Sequence, residues 1–250
     1  MKVTIAYIEE PPFGWTDVAS GHATGADIEL AERVLTAIGV TQIAYRATTF
    51  SALLPGVQAG DWDMNVPLFV TPQRAQTVAF STPVWAIGDG FLLRAGNPKS
   101  LVDYAAVARR DDARLGIIAG QVQHDSALAA GVHDQQITLF DQQSEAISAL
   151  REGHIDAYAS TALGNRILAS RIGDANLEAV DHANAGANSS ASAGTNTKCA
   201  PLGAFSFNRN NTPLLAAVNA QLRAYLGSDD HRARMAAYGL SSQEIDPVLA

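Results

Sequence analysis

Cysteine is nearly absent from this 250-residue chain, where Cys199 stands alone. A single thiol forms no internal disulfide and offers no thiolate cluster for zinc, so neither staple holds the fold. Basic side chains are scarce as well: 17 Lys and Arg face 25 Asp and Glu, a formal charge of −8. Nucleic acid and anionic membrane both require a basic face, so neither is expected as a partner. No apolar run approaches the roughly eighteen residues of a membrane-spanning helix. The amino terminus, Met1-Lys2-Val3-Thr4-Ile5, enters a strand-like pattern without the apolar stretch or cleavage site of an export signal. Composition leaves open a cytoplasmic chain and a mature exported segment given a start methionine. The six histidines show no HExxH or other paired-ligand spacing, and no G-x-S-x-G elbow or Walker-type loop occurs. No metal, cofactor or catalytic residue is expected.

What is present is apolar material, 47% of residues against 17% charged. That is enough to build cores and excludes disorder for most of the chain. Strand-like and helix-like patterns alternate, which reads as α/β. Lys2 to Ile8 alternates as a strand. From Gly25 to Ile38 the residues Ile28, Ala31, Leu35 and Ile38 make one apolar stripe of a helix. A strand over Gln42–Thr48, a helix over Ser51–Ala59 and a short strand over Asp63–Pro67 follow. Thr71-Pro72 opens a helical turn, with Thr71 as cap and Pro72 at the first position.

After Ser81-Thr82-Pro83 the alternation restarts. Strands are expected over Gly90–Arg94, Leu115–Ala119, Ile137–Phe140 and Asp156–Ala159. Helices are expected over Leu101–Arg109, near Ser126, over Ser144–Leu150 and over Ala162–Ile172. Ala183 to Thr197 is rich in Ala, Asn, Ser and Gly, which reads as a flexible surface loop. A strand over Ala204–Asn208 then precedes a helix capped by Thr212-Pro213, with Leu215, Val218, Leu222 and Leu226 on its buried face. That strand has no sequential partner, so the carboxyl-terminal segment is expected to return to a lobe already built. The Asp111-Asp112 and Asp229-Asp230 pairs read as solvated turns.

Several short motifs, in order, resemble the periplasmic solute-binding proteins of ABC importers, in their polar amino-acid-binding class. They are Glu10-Pro11-Pro12-Phe13, Thr24-Gly25-Ala26-Asp27-Ile28-Glu29-Leu30, Thr49-Phe50-Ser51-Ala52-Leu53-Leu54-Pro55 and Gln58-Ala59-Gly60-Asp61-Trp62-Asp63. Val70-Thr71-Pro72-Gln73-Arg74 and Val78-Ala79-Phe80-Ser81-Thr82-Pro83 follow, then Gly120-Gln121, Gly153-His154-Ile155-Asp156-Ala157-Tyr158 and Ala237-Tyr238-Gly239-Leu240. The resemblance implies a two-lobed type II fold: residues 1–84 with 203–250 as one lobe, 86–184 as the other, and 185–202 as loop and hinge return. It further implies an exported, periplasmic or membrane-associated monomer whose leader is absent here, which closes on a small zwitterionic ligand and delivers it to an importer permease.

By the same resemblance Arg74 grips the ligand carboxylate, a task suited to the paired donors of a guanidinium. Thr71 shares its turn. Where amino-acid binders place an aspartate for the ligand ammonium, this chain has Thr161, and Phe69 stands in a usually polar wall. Glu10 with Phe13, Phe50 and Phe69, and Trp15 in reserve, could receive a delocalised cation instead. This pattern is similar to the ectoine-binding branch of the family. Gln121 and Val122 follow the Gly120 turn, where the family supplies hydrogen bonds from a helix start, and Thr161 adds a hydroxyl. The alternatives are a binder of a standard or modified amino acid or an opine, and a cyclohexadienyl dehydratase-like enzyme with Glu10 as general acid.

Overall fold

The computed structural model describes residues 1–182 and 200–249. They form two compact units. Unit 1 begins with β1 (Lys2–Tyr7), β2 (Trp15–Thr16), β3 (Ala23–Thr24), α1 (Ala26–Ala37) and β4 (Gln42–Ala47). It continues through α2 (Phe50–Ala59), β5 (Met64–Phe69), α3 (Pro72–Ala75), β6 (Ala79–Phe80) and β7 (Trp85–Ala86). Unit 2 contains β8 (Asp89–Arg94), α4 (Tyr104–Ala108), β9 (Leu115–Ile118), α5 (Val122–Ala129) and β10 (Ile137–Phe140). α6 (Gln143–Glu152), β11 (Ala157–Thr161), α7 (Ala162–Ile172) and β12 (Leu177–Asp181) complete it. The chain then re-enters unit 1 with β13 (Leu202–Phe207), α8 (Thr212–Tyr225), α9 (Asp229–Ala236) and α10 (Ser242–Ile245).

The sheet of unit 1 runs β4-β1-β5-β13-β6, with β7 also paired to β13. β1 is parallel to β4 and β5, and β13 is antiparallel to β5. Every residue of β5 is buried, as expected of a strand inside a sheet covered on both faces. Asn65 at its centre is wholly buried and fully used. It accepts from the Trp62 indole and donates to the Leu53 carbonyl and Ser206 hydroxyl, tying α2 and β13 to β5.

The strand continues two residues past Pro67, where the proline suggested an end. Proline lacks the N–H that a ladder needs. Here the β1 ladder is recorded only to Asn65, and the β13 register shifts opposite this stretch, so no ladder depends on that donor.

The sheet of unit 2 runs β10-β9-β11-β8-β12. β9, β10 and β11 are parallel, and β8 is antiparallel to both β11 and β12. Asp156 anchors the entrance to β11. Its carboxylate receives Arg94, Lys99 and the backbone N–H of Arg114.

Four expectations require correction. α4 starts at Tyr104 rather than Leu101, because the Asp103 side chain accepts from the Ala106 N–H and fixes the cap there. The cap of α8 is Asn211, one residue before Thr212, and its buried line is Leu214, Val218 and Leu222. Asp229-Asp230 is not a turn. Ser228 caps α9 and the two acids occupy its first turn, where they face the positive end of the helix dipole. β12 was not anticipated: Leu177-Glu178-Ala179-Val180-Asp181 is a half-exposed edge strand, carrying charge that blunts the apolar pattern. The expected loop from Ala183 to Thr197, and Cys199, lie outside the described residues.

Candidate functional site

In unit 1, the sequence folds so that the end of β1 and the start of α1 hold one short loop between them. The Glu10 and Gly14 backbones bond in both directions, and Phe13 N–H donates to the Glu10 carbonyl. Helix α1 begins directly beneath. Its Ala26 and Asp27 N–H groups donate to the Pro12 and Phe13 carbonyls at 2.9 Å each, so the loop supplies acceptors that a helix start otherwise lacks. Gly25 makes this approach possible. Its φ of +129° is in the region that favours glycine, and a Cβ there would stand 2.3 Å from the Phe13 oxygen.

The buried ring of Phe13 then meets Trp85, centroids 5.7 Å apart. Trp85 in turn meets the buried Phe69 edge-on at 5.3 Å. The indole N–H donates to Asp27 at 3.1 Å. Asp27 is only 2% exposed. Burial pushes its carboxyl well above the usual carboxylate range, Trp85 opposing and the charge of Glu10 adding to the rise. Glu10 therefore sits close enough to act electrostatically on the acid behind the aromatic group, and is itself half-buried.

β5 ends at Phe69, and the chain turns through Thr71 into α3. The Thr71 hydroxyl accepts from the Arg74 N–H, which fixes the turn that carries Arg74. The Arg74 side chain is 8% exposed. Its guanidinium donates to the Phe69 carbonyl at 2.9 Å and lies 5.2 Å from the centroid of Phe50, the first residue of α2. A cation held this way combines a ring face with a backbone acceptor. It is preorganised for a planar anion such as a carboxylate.

The structure thus brings Glu10, Phe13, Phe50, Phe69, Thr71 and Arg74 into one set of connected contacts in unit 1. Trp15 behaves differently. It pairs with Thr24 in the β2–β3 ribbon, and its ring packs edge-on against Tyr238 at 6.2 Å. Two participants, Trp85 and Asp27, carried no role in the sequence reading. Asp27 precedes Ile28 on the buried side of α1 together with Leu30, Ala31 and Val34, and an acid beside an apolar stripe is the signal that could have found it.

In unit 2, Gly120 with φ +85° turns the chain from β9 into α5. Gln121 caps that helix without a side-chain cap bond, and half-buried Val122 is its first residue. Thr161 ends β11 and caps α7, its hydroxyl oxygen accepting from the Gly164 N–H at 3.1 Å. All three residues lie where parallel strands finish, the end of an α/β sheet at which ligands are met. Across the strand pair from Thr161 stands Asp89. It accepts from Gln123 at 2.8 Å and from Tyr104 at 3.0 Å, and burial pushes its carboxyl up to about 6. The sequence reading gave Asp89, Tyr104 and Gln123 no part, since no spacing joins residues that meet only across β8, α4 and α5.

Among the described residues, no group of three or more His, Cys, Asp or Glu side chains could hold a metal ion. No described helix is long and apolar enough to cross a membrane.

Comparison with known proteins follows the same lines. The chain is 35% identical over 163 residues to the probable amino-acid ABC transporter periplasmic-binding protein y4tE of Sinorhizobium fredii (strain NBRC 101917 / NGR234). That alignment takes in 64% of this chain and 53%, about half, of the relative's length. Among solved structures it is similar to EhuB in complex with hydroxyectoine, with a TM-score of 0.85 and 26% identity over 100% of this chain and 94% of that one. An ancestral arginine-binding protein bound to glutamine shares the fold, with a TM-score of 0.79 and 21% identity over 95% of this chain and 97% of the other. The α/β architecture is accordingly that of the type II periplasmic binding proteins. Residues 3–239 match the profile of one family across nearly the whole sequence, and the chain belongs to the bacterial extracellular solute-binding proteins, family 3.

Proposed function

We propose that this chain is the extracytoplasmic solute-binding component of an ABC importer and captures a small zwitterion. The ligand is ectoine-like, or another cationic or amino-acid-like carboxylate. Arg74 is the observation that carries the reading. A guanidinium is held almost out of water by a backbone carbonyl, with a ring face 5.2 Å from its carbon. That arrangement suits a carboxylate far better than solvent. Glu10 and the rings of Phe13, Phe50 and Phe69 receive the positive end of the ligand. A delocalised cyclic amidinium suits such walls, because it gains from ring faces without demanding three acceptors. Within unit 2, Gln121, Val122 and Thr161 are the corresponding candidates at the helix starts. Similarity to a hydroxyectoine complex supports this ligand class.

The protein works as a monomer in the periplasm or at the outer face of a membrane, hands its ligand to a permease, and releases it unaltered. Calorimetry with ectoine, hydroxyectoine, glycine betaine, arginine and glutamine tests the reading. Tight binding of ectoine, weakened much more by Phe69→Ser than any residual glutamine binding, is the expected result. Tight binding of a standard amino acid with ectoine and betaine silent overturns the cyclic-cation assignment. Silence from all five overturns the solute class.

A further inference from the structure

Unit 2 contains a group of polar side chains that solute capture by Arg74 and its neighbours does not use. Asp89 opens β8 and is half-buried, so it keeps a solvent-facing edge. Gln123, on the first turn of α5, is 1% exposed. Its amide nitrogen donates to Asp89, while its amide oxygen, on the same carbon, has no hydrogen-bond partner among the described residues. An orphaned buried amide oxygen is a costly feature unless something meets it. His182 closes the group. Its backbone N–H donates to the Asp89 carbonyl, and its ring stands edge-on to Phe91 at 4.2 Å and Tyr104 at 4.7 Å. Its Nε2 is also buried and unpartnered.

The inventory is one-sided. Tyr104 and the Gln123 amide nitrogen each give one hydrogen to Asp89. Each carboxylate oxygen retains acceptor capacity beyond the one bond it receives, and the Gln123 oxygen has all of its own. Among the described residues no arginine or lysine forms an ion pair with Asp89, and burial disfavours its ionised form. What would satisfy the group is a compact positive charge bearing several N–H donors. Its place adds to the argument. Asp89 faces Thr161 across the strand pair, and Gln123 follows the end of β9 by a few residues, at the same sheet end where ligands are met.

We infer that Asp89 and Gln123, walled by Tyr104 and His182, form an acceptor site in unit 2 for a protonated nitrogen group of a small solute. Asp89 supplies there the counter-charge that Thr161 does not. The chemical class is a primary or secondary ammonium, or an amidinium with N–H donors. A quaternary ammonium is excluded because it has no hydrogen to give to the Gln123 oxygen. The ligand class rests on the solute-binding reading, whereas the site itself stands on the geometry of unit 2 alone.

The test uses methylammonium chloride and tetramethylammonium chloride as probes, followed by NMR of the Gln123 side-chain amide and the Asp89 carboxyl carbon. Methylammonium is expected to shift both signals saturably. Tetramethylammonium at equal ionic strength leaves them unmoved, and Asp89→Asn weakens the methylammonium response at least tenfold. Gln123→Met, which keeps the bulk and removes the orphaned oxygen, weakens it several-fold and serves should Asp89→Asn fail to fold. Equal responses to the two probes, no saturable shift, or an undiminished response in the folded variants would overturn the site. Calorimetry on the same samples with ectoine and arginine separates the two ideas. A saturable methylammonium shift with no solute bound retains the site and removes the transport reading. Solute binding unaffected by Asp89→Asn and Gln123→Met, with no methylammonium shift, does the reverse.

Discussion

At the scale of single residues, charge placement decides function and pH response. On the proposed reading, removing Arg74 leaves a ligand carboxylate in a poorly solvated position without its partner. Arg74→Ala is therefore expected to weaken binding by about 2–5 kcal/mol while the protein still unfolds cooperatively. Unchanged affinity in calorimetry would remove Arg74 from the site. The buried titratable groups pull stability in opposite directions. Asp89 is raised to about 6 by burial, so the folded state favours its protonated form. That contribution is complete near pH 4 and fades as pH rises through 6. His182 and His231 are both lowered to about 4, by burial first. They favour the neutral form, so their contribution is complete above about 6.5 and fades on acidification. Asp27, raised by burial, acts with Asp89. Two acids against two histidines predict a shallow stability profile between pH 6.5 and 4 for the wild type. Asp89→Asn removes one of the two acids and on acidification across that window should lose stability relative to the wild type, on the order of 1–3 kcal/mol. Parallel melting profiles for the two proteins would contradict this. The contacts among these residues were only half legible. Arg74 and Phe50 were marked by flanking motifs, whereas Asp27, Trp85, Asp89 and Gln123 owe their significance to contacts between segments far apart in sequence.

At the scale of elements, period and caps carried most of the information. α1, α6 and α7 have strong stripes or terminal glycines, and the sequence pattern places each within two residues of its observed ends. Errors fell where a side chain outside the pattern set the boundary, as Asp103 does for α4, or where an element is too short to show a period, as in β6 and β7. Two substitutions measure how elements hold the loop and the central strand. Gly25→Ala must place a Cβ 2.3 Å from the Phe13 oxygen at a φ of +129°. Backbone strain alone is about 1–3 kcal/mol, and relief requires the Phe13 loop to lift from α1. The variant should lose both stability and ligand affinity. A fall in stability with affinity preserved would show that the loop position does not matter to the ligand. Asn65→Ala leaves the Trp62 indole N–H without its acceptor and the Ser206 hydroxyl without its donor inside the sheet. It should destabilise unit 1 by about 2–4 kcal/mol in chemical denaturation, and a loss under 1 kcal/mol would mean that water replaces the amide.

At the scale of the whole molecule, the net charge of −8 opposes self-association, and light scattering should return one chain of 26.3 kDa. Incubation with prephenate or arogenate should leave both unaltered by mass spectrometry; turnover abolished by Glu10→Gln would favour an enzyme over a carrier. The fold class was legible because two rounds of strand and helix alternation are a long-range pattern that survives many local errors. The order and direction of strands within each sheet were not, beyond the inference that the last strand returns to a lobe already built. The indole of Trp85 has one more consequence. It is one of three tryptophans, its N–H is committed to Asp27, and its ring touches the two phenylalanines assigned to the ligand wall. Light emitted by this indole responds to the polarity and packing at those rings. If the ligand sits where proposed, the protein carries its own optical gauge of occupancy, needing no dye. Ligand addition should shift or quench tryptophan emission, and Trp85→Phe should erase that change while heat of binding is still measured. An undiminished optical response in Trp85→Phe would place the gauge at Trp15 or Trp62 instead.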